Sequence, residues 1–508
     1  MKAVLLATAA ALALLAAPAF AQKSSDTIKL TVQEGFPILD PYHAPSNEAN
    51  QWSRDVYGRL VVYDENKRQM IGELVKSWKR VDDQTIEFDL REDIVFTSGN
   101  KFTADDVIYT LDYVADPALN IRFKARYTWY DKPEKLGPYK VRLHSKEPRA
   151  DDLELLAYRF HIFDKAAHEK LEDKATYGRT SASSTAAYKL VSIDRTGNIV
   201  LARNDDAIKK FPHLRAPIKN VVGVPIPDRQ TQIAQLITGG VHVLSKASPD
   251  TLAEFAKNPA FAQTPFPTRM LVYITMDAAG RSDNKLLMNE KLRQAVFKAI
   301  DREKIIKAYI PGADIALRPD GLGFHDNIGF STSTKVIGYD PEGAKKLMAE
   351  AGYPNGFDLE LGAYVPYKEI AEAISGELRK VGIRASVNSM PLSVYTKARG
   401  DGKLTTLVAE YPAFAQPNMI NIMDVFFGGD RDYANDPIIK KAYNEGSKII
   451  DDAKRAALYK TAIDQVNEKA YIYPISEMPN IFIHSKDVEI KLGLTSITET
   501  RPGDYFWK

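Results

Sequence analysis

The chain has 508 residues, and its 68 Lys and Arg against 66 Asp and Glu give a formal net charge of +2 at pH 7. So small a charge gives no indication of a nucleic-acid or polyanion partner. The absence of cysteine excludes disulfides, thiolate metal sites, cysteine nucleophiles and lipid attachment through an N-terminal Cys. A chain of this length must therefore rely on large hydrophobic cores, and we expect it to divide into domains.

The N-terminal segment is typical of a secretory signal peptide. Lys2 precedes an almost wholly apolar run from Ala3 to Phe20, which ends in Ala19-Phe20-Ala21. A positive start, an apolar centre and small residues at the end predict cleavage after Ala21 and a periplasmic mature protein. The alternative is a membrane anchor, but the run is slightly short for a span, which needs about 20 apolar residues.

Apolar runs with a period of two residues predict strands throughout the chain. They lie at Ile28–Val32, Thr85–Leu90, Tyr139–Leu143, Ile199–Ala202, Leu271–Thr275 and Asp358–Leu361. Segments with a helical period lie between them, and this alternation predicts an α/β protein. No long flexible linker separates the segments, so we expect domains that are interwoven along the chain.

Cap residues predict three helices. The first, TADDVIYTLDYVAD, starts at the N-cap Thr103, and the second, NEKLRQAVFKAIDREKIIKAY, starts at the N-cap Asn289. The third, DPEGAKKLMAEAGYP, has Asp340 as its cap, Pro341 at its first position and Gly352 as its terminator.

The sequence contains no motif that indicates catalysis or metal binding. It has no H-E-x-x-H, no G-x-S-x-G, no P-loop and no G-x-G-x-x-G. His161, Asp164 and His168 lie close together in a predicted helix, where a solvated or core-edge role fits them better than a ligand set. We therefore expect a protein that is not an enzyme, with no metal and no cofactor.

Four blocks of the sequence together resemble one family. They are the stretch from ILDPYHAPSNEA to KFTADDVIYTLDYV, VPIPDRQTQIAQLITGGVHVL, LRQAVFKAIDREKII and YDPEGAKKLMAEAGYPNGFDLEL. In this order they are similar to the peptide-type (family 5) periplasmic solute-binding proteins of ABC transporters. The resemblance covers nearly the whole mature chain.

The resemblance implies an α/β fold, a two-lobed clamp like that of periplasmic binding proteins, with an additional α/β domain. The two lobes and the additional domain are three domains interleaved along the chain, and two crossings of the chain serve as hinges. The implied segments are the signal peptide 1–21, lobe I at 22–62, 186–274 and 484–508, the additional domain at 63–185, and lobe II at 275–483. The crossings are expected near Tyr188–Leu190 or slightly before, and near Tyr273–Asp277. Such lobes close over a solute that touches both of them.

Several residues of the family signature are better interpreted as scaffold than as ligand contacts. Trp78, Phe88, Leu90 and Phe96 are expected in the core of the additional domain. Asp301 and Arg302 are expected to cap or pair within their helix.

The uncharged stretch from Tyr411 to Met423 is the main candidate for a pocket wall. In the family, a segment of lobe II reads approximately Trp-x-x-Asp-Tyr-x-(Asp/Glu)-Pro, and its first Asp pairs with a peptide ammonium. The overlay here is EYPAFAQP, residues 410–417, with Ala413 and Gln416 in place of the acids. The resemblance thus implies ligand contacts from Tyr411, Ala413, Phe414, Gln416 and Asn418. The alternative is a core strand that leads into a buried loop.

Other ligand-binding candidates follow predicted strands. Met276 and Asp277 would stand at the hinge mouth, where Asp277 is either a polar anchor or an Asx turn. The remaining candidates are Tyr42, His43, Tyr364 and Glu34. A buried ammonium without a carboxylate would be costly, so the overlay disfavours a peptide whose free N-terminus is anchored in the usual way. Glu410 or Glu34 could supply a substitute charge.

The leading functional hypothesis is the periplasmic substrate-binding component of an ABC importer. It would capture a peptide or a peptide-like or opine-like solute and deliver it, as a monomer, to a permease and ATPase complex at the inner membrane. An exported hydrolase and a periplasmic chaperone or adhesin that reuses the clamp are the alternatives. The family also takes oligosaccharides and nickel complexes, and the fold does not choose among these solutes.

Overall fold

A computed structural model describes residues 23, 25–32, 35–43, 47–64, 67, 69–121, 124–179, 182–266, 268–325, 327–331, 333–412, 418–492 and 500–508. The chain forms two compact units. Unit 1 comprises the described residues up to Glu147, together with Asp152–Thr264 and Ile481–Lys508. Unit 2 comprises Pro148–Asp151 and Pro265–Asn480.

The strands are short and lie in both units. In chain order they are β1 (Thr27–Val32), β2 (Val61–Asp64), β3 (Gln69–Gly72), β4 (Val75–Arg80), β5 (Thr85–Leu90), β6 (Glu134–Gly137), β7 (Lys140–His144), β8 (Tyr188–Ile193), β9 (Ile199–Arg203), β10 (Asn220–Pro225), β11 (Val243–Leu244), β12 (Phe261–Phe266), β13 (Met270–Met276), β14 (Asp358–Tyr364), β15 (Arg384–Met390), β16 (Thr406–Pro412), β17 (Ile472–Glu477), β18 (Asn480–Ser485), β19 (Val488–Ile490) and β20 (Tyr505–Trp507).

The α-helices alternate with these strands. They are α1 (Asn47–Ser53), α2 (Ala104–Ala115), α3 (Asp152–Arg159), α4 (Lys165–Glu169), α5 (Asp205–Lys210), α6 (Arg229–Ile237), α7 (Pro249–Phe255), α8 (Glu290–Lys298), α9 (Arg302–Tyr309), α10 (Pro341–Glu350), α11 (Lys368–Arg379), α12 (Leu392–Gly400), α13 (Ile420–Phe427), α14 (Pro437–Gly446) and α15 (Asp452–Glu468). Among the described residues, no helix is both long enough and apolar enough to cross a membrane.

Unit 1 contains a seven-stranded sheet in the order β12-β18-β11-β1-β10-β9-β8 and a four-stranded sheet in the order β4-β5-β7-β6. In the larger sheet β1 runs parallel to β10 and β11, and every second residue of β1 is buried. This alternation is the period of two that the sequence shows. The smaller sheet is antiparallel and belongs to the segment predicted as the additional domain.

The predicted scaffold residues lie mostly in cores. Phe88, Leu90 and Phe96 are buried in unit 1. Trp78 is only partly buried because it lies on β4, an edge strand whose register shifts between Val75 and Ser77. The core prediction is therefore correct for three of these four residues.

Unit 2 is built on a five-stranded sheet in the order β15-β14-β16-β13-β17. Successive residues of β13 point to opposite faces, so Leu271 and Tyr273 join one hydrophobic core while Val272 and Ile274 join the other. Both faces of the sheet are thus covered, as is usual for sheets with parallel strands.

The helix caps confirm two of the three predicted helices as single elements. Thr103 and Asp106 form a capping box at α2, in which the Asp106 carboxylate accepts the Thr103 N–H at 2.8 Å. Asp340 accepts the Gly343 N–H at 2.8 Å at the start of α10, and Gly352 follows α10 with a φ of +88°.

The second predicted helix, NEKLRQAVFKAIDREKIIKAY, is two helices, α8 and α9. Helix α8 ends at Lys298, and the Asp301 carboxylate accepts the Lys304 N–H at 3.0 Å as the N-cap of α9. The Arg302 guanidinium donates to the carbonyl oxygens of Pro319 and Pro474, which lie outside both helices. The Asp301 cap and the Arg302 hydrogen bonds therefore start α9 as a separate helix, which the apolar period of the sequence did not reveal.

Two predicted boundaries need correction. The chain passes from unit 1 to unit 2 near Thr264–Pro265 and returns near Asn480–Ile481. The boundary expected at 274/275 falls inside β13, which pairs with β16 over its full length. The crossing expected near Tyr188–Leu190 or slightly before lies within unit 1, where β8 pairs with β9. Each of these two places therefore lies within a single unit.

Candidate functional site

The ends of the strands in unit 2 define a candidate site. Strand β14 runs parallel to β15 and β16, so Tyr364, Met390 and Pro412 end these strands at one edge of the sheet. The antiparallel β13 starts at this edge with Met270 opposite Pro412, and β17 ends there. We call this the carboxyl edge of unit 2. Sheets of this kind place ligands outside the carboxyl ends of their parallel strands.

Aromatic side chains line this edge. The partly buried ring of Tyr364 lies 6.2 Å from that of Tyr367 and 6.3 Å from that of Tyr395, measured between centroids. Tyr395, Tyr411 and Phe426 belong to one hydrophobic core, in which the rings of Tyr411 and Phe426 are 5.4 Å apart. Aromatic walls provide a large contact area for a small ligand at low entropic cost.

Two charged groups stand at the same edge. Glu410 is partly buried, near the end of β16, and one of its carboxylate oxygens accepts a hydrogen bond from the Tyr367 hydroxyl. Burial raises the pKa of Tyr367, and the negative charge of Glu410 raises it further, so this hydroxyl remains a donor. Arg269, just before β13, places its guanidinium carbon 5.1 Å from the centre of the Phe324 ring.

Tyr411 and Asn418 lie at this edge, but both are buried in unit 2. The Tyr411 hydroxyl accepts a hydrogen bond from the Asn421 amide at 2.5 Å. The Asn418 side-chain oxygen accepts the Ile420 N–H at 2.8 Å, and Asn418 forms a β-bridge with Ile328. These contacts hold the start of α13 in place.

Three other candidates of the same stretch, Ala413, Phe414 and Gln416, lie outside the described residues, as does Glu34. Their ligand contacts therefore stay predictions.

Met276 and Asp277 lie at the opposite edge of the sheet. Met276 ends β13 opposite Thr406, the first residue of β16, and this separates it from Met270 by roughly 20 Å of extended strand. Met276 is fully buried in a hydrophobic core. The structure therefore separates these two residues from Tyr364 and Tyr411, and ligand contacts by Met276 and Asp277 stay predictions.

The carboxylate of Asp277 fixes a turn. It accepts hydrogen bonds from the Arg281 N–H at 3.0 Å, the Ser282 N–H at 2.7 Å and the Ser282 hydroxyl at 2.7 Å. Of the two alternatives left open by the sequence, an anchor for ligand or an Asx turn, these contacts match the turn.

Tyr42 and His43 belong to unit 1. The buried Tyr42 hydroxyl donates to the His161 carbonyl oxygen at 2.7 Å and accepts the His161 N–H at 2.9 Å, so its bonding capacity is used inside the unit. A ring nitrogen of His43 lies 3.1 Å from the Asp40 carboxylate. Burial lowers the pKa of His43, but the hydrogen bond and charge of Asp40 outweigh it, and the net pKa is raised. Both placements match structural roles, and ligand contacts by these residues remain predictions.

Sequence reasoning missed Tyr367, Arg269 and Met390 and considered Glu410 only as a replacement charge. These residues share one property, their place at or next to strand ends on the carboxyl edge. The strand order β15-β14-β16-β13 brings them together, and no local pattern in the sequence reveals that order. No group of three or more His, Asp or Glu suited to a metal ion occurs among the residues that the structure describes.

Comparisons with known proteins identify related sequences. The profile of the bacterial extracellular solute-binding proteins, family 5 (middle), matches residues 69–434. The glutathione-binding protein GsiB of Escherichia coli (strain K12) is 26% identical over 511 residues, which cover 95% of this chain and 94% of that protein.

Two solved structures show the same fold. HbpA2 from Haemophilus parasuis has a TM-score of 0.81 at 21% identity and covers 95% of this chain and 100% of its own. The periplasmic binding protein DppA from Helicobacter pylori, in complex with the peptide STSA, has a TM-score of 0.73 at 19% identity, with 96% of this chain and 99% of its own covered.

Proposed function

This chain belongs to the bacterial extracellular solute-binding proteins of family 5, and we propose that it holds a small peptide-like solute at the carboxyl edge of unit 2. The family supplies the solute-binding components of ABC importers and has the two-lobed clamp fold of periplasmic binding proteins. Its members bind rather than catalyse, so neither a hydrolase nor a chaperone or adhesin fits the chain as well.

The observation that carries the proposal is the set of side chains where the parallel strands of unit 2 end. Tyr364 offers an apolar face, and Glu410 offers a negative charge that the buried Tyr367 holds in place. The buried Arg269 adds a positive charge at the same edge. A peptide-like solute carries an ammonium, a carboxylate and an apolar body, which is the complement of this set.

Glu410 is the group that we assign to a solute ammonium. The sequence overlay leaves Ala413 and Gln416 where the family has acids, and Glu410 precedes both at the end of β16. Because an unpaired ammonium is costly to bury, a solute with a free amine needs this carboxylate. Relatives named for glutathione binding make glutathione the first solute to test.

We also propose that the mature protein starts after Ala21, is monomeric, and passes its solute to a permease and ATPase complex at the inner membrane. The family description as extracellular and the binding-protein relatives support export to the periplasm. The intact mass of the protein purified from periplasmic extract tests the cleavage site, and its mass under native conditions tests the oligomeric state.

Native mass spectrometry of protein purified without denaturation tests the solute class directly. We expect one small molecule of peptide-like composition bound per chain, or uptake of one glutathione or dipeptide from a test panel. Retention of only a sugar or a metal complex, with no peptide-like compound bound at any concentration tested, would refute the proposed solute class.

A further inference from the structure

Unit 1 contains a cavity of about 460 Å³ that the solute-binding proposal does not use. It lies among the β2–β3 ribbon, the end of α3, the loop 212–215 and Arg501 near the C-terminus, all within unit 1. None of its lining residues belongs to β1, β10 or β11, the parallel strands of the seven-stranded sheet.

The walls of this cavity carry more positive than negative charge. Arg59, Lys67, Arg215 and Arg501 line it, together with His213, against two carboxylates, those of Asp55 and Asp64. A permanent excess of cations in a partly enclosed space attracts anions, because the low-dielectric walls screen the charges less than water does.

The carboxylate of Asp55 is already occupied by the protein. One of its oxygens accepts the Gly503 N–H at 2.9 Å, and the other lies 3.5 Å from the Arg501 guanidinium. The Asp64 carboxylate lies 3.8 Å from the Lys67 ammonium. Asp55 thus pairs with Arg501 and Asp64 with Lys67, and among the described residues neither carboxylate forms an ion pair with Arg215.

Glu73, buried behind the cavity wall, is shared between Arg59 and His213. Its carboxylate accepts the Arg59 N–H at 2.9 Å and lies 3.5 Å from the Arg59 guanidinium and 3.1 Å from a ring nitrogen of His213. Burial raises the pKa of Glu73, but Arg59 and His213 outweigh it and the net pKa is lowered. The surroundings of this carboxylate are therefore positive overall.

Arg54, deeper in unit 1, also lies among positive charges. Burial, followed by the positive charges of Arg59 and Arg501, lowers the pKa of Arg54 to about 9. Its guanidinium carbon lies 4.9 Å from the centre of the Tyr158 ring, which also lines the cavity. An anion in the cavity would relieve this repulsion between like charges.

We propose that this cavity binds a small polyvalent oxyanion, a polycarboxylate or a phosphate-bearing molecule, between Arg59, Arg215, Arg501 and Lys67. Guanidinium groups recognise carboxylate and phosphate oxygens with paired N–H donors, and three of them line one space of ligand size. The bound anion joins the β2–β3 ribbon, the loop 212–215 and the C-terminal segment, so its binding stabilises unit 1.

Citrate serves as the probe for a polycarboxylate ligand, and inorganic phosphate serves as the probe for a phosphate-bearing ligand. Each is added to the full mature protein with sodium chloride adjusted to constant ionic strength, and binding is followed by calorimetry and by the melting temperature. We expect saturable binding of one anion per chain and a rise in melting temperature. Binding of citrate alone assigns a polycarboxylate, and binding of phosphate alone assigns a phosphoryl group.

The variant Lys67→Gln/Arg215→Gln removes two cavity cations and keeps the buried Arg59–Glu73 pair. The matched control Arg195→Gln/Lys209→Gln removes two cations of unit 1 that do not line the cavity. We expect the first variant to weaken anion binding at least tenfold and the control to change it less than twofold. Both must melt within a few degrees of wild type without anion.

The proposal is overturned if neither anion binds, if chloride at equal ionic strength gives the same rise in melting temperature, or if both double variants weaken binding equally. None of these outcomes bears on solute binding in unit 2, which is measured separately with peptide ligands.

Discussion

The hydroxyl of Tyr367 donates a hydrogen bond to the carboxylate of Glu410, and this pair holds a negative charge at the carboxyl edge of unit 2. Glu410 is only partly buried, whereas Tyr367 is buried beneath it in a hydrophobic core. The Tyr367 hydroxyl therefore fixes the orientation of the Glu410 carboxylate from the protein side. A positioning residue acts on a binding residue in this way.

Replacing this carboxylate tests its assignment to a solute ammonium. We expect Glu410→Gln to weaken the binding of a free-amine solute at least tenfold and to affect its N-acetylated form less than twofold, because only the first needs the charge. Calorimetric titration of both solutes measures this difference. Glu372→Gln, an exposed acid of α11, is the control and should change neither affinity. Equal effects of Glu410→Gln on the two solutes would remove the ammonium assignment.

Tyr364 is expected to contribute contact area to the solute. Tyr364→Ala removes the ring that ends β14, and we expect it to weaken solute binding by about 1–3 kcal/mol. Tyr339→Ala, in which an exposed ring of the same unit is lost, should leave the affinity unchanged. Titration calorimetry compares the two variants, and the same affinity in both would exclude Tyr364 from the site.

Asp277 is expected to stabilise unit 2 without touching solute. Asp277→Ala leaves the backbone N–H groups of Arg281 and Ser282 without their acceptor, so we expect a loss of about 2–4 kcal/mol in the free energy of unfolding. Asp283→Ala, at an exposed neighbouring position, should change it by less than about 0.5 kcal/mol. Urea unfolding measures both. A large loss of solute affinity in folded Asp277→Ala protein would restore Asp277 as an anchor.

Acid is expected to destabilise unit 1 through His242. Its Nδ1 accepts the Lys29 N–H at 2.9 Å, and burial lowers the pKa of His242 to about 4. Between pH 6.5 and 4 the unfolded chain therefore binds a proton at His242 that the folded chain does not, so stability falls as pH falls through this window. The contribution of His242 is about 2–3 kcal/mol.

The free energy of unfolding, measured at pH 7 and at pH 4.5, tests whether stability falls with pH as predicted. His242→Asn keeps an acceptor near the Lys29 N–H and does not titrate, so we expect it to reduce the acid-induced loss. His43 has a raised pKa, and its stabilising contribution is present at low pH and lost as pH rises. His43→Asn should therefore increase the acid-induced loss. Identical pH profiles for wild type and both variants would contradict the assignment.

Gly356 and Gly382 form a close backbone approach in unit 2. A Cβ on Gly356 would lie 1.8 Å from the Gly382 carbonyl oxygen, and Gly356 has a φ of +77°. Gly382 has a φ of +96°, but a Cβ there would meet its nearest atom at 3.7 Å. We expect Gly382→Ala to cost about 1–2 kcal/mol and Gly356→Ala to cost more, measured by thermal unfolding. A smaller cost at Gly356 would show that the two loops separate easily.

The sequence predicted local structure well because caps and apolar periods are local signals. Thr103 and Asp340 start helices where their capping side chains predict a start. The segment after Asn289 was predicted as one helix because Ala299 and Ile300 continue the apolar stripe, although both are buried in a connection. Asp301 was the residue that could have indicated the break, since Asp is a common N-cap and can begin a second helix.

The candidate site was harder to predict because it depends on strand order. Tyr364 follows a predicted strand, and the sheet brings it to the same edge as Tyr411, which lies in β16. Met276 also ends a strand, but β13 is antiparallel to β16, so Met276 lies at the other edge. Strand direction is set by the connections between distant segments, and a single sequence does not contain that information directly.

The central claim, that unit 2 supplies the binding edge for a peptide-like solute, is tested most directly by calorimetric titration of glutathione and a dipeptide panel into the mature protein. We predict that at least one of these compounds binds with a stoichiometry of one per chain, and that Tyr364→Ala and Glu410→Gln each weaken it. Binding of no compound in the panel, or binding that both variants leave unchanged, would contradict the account.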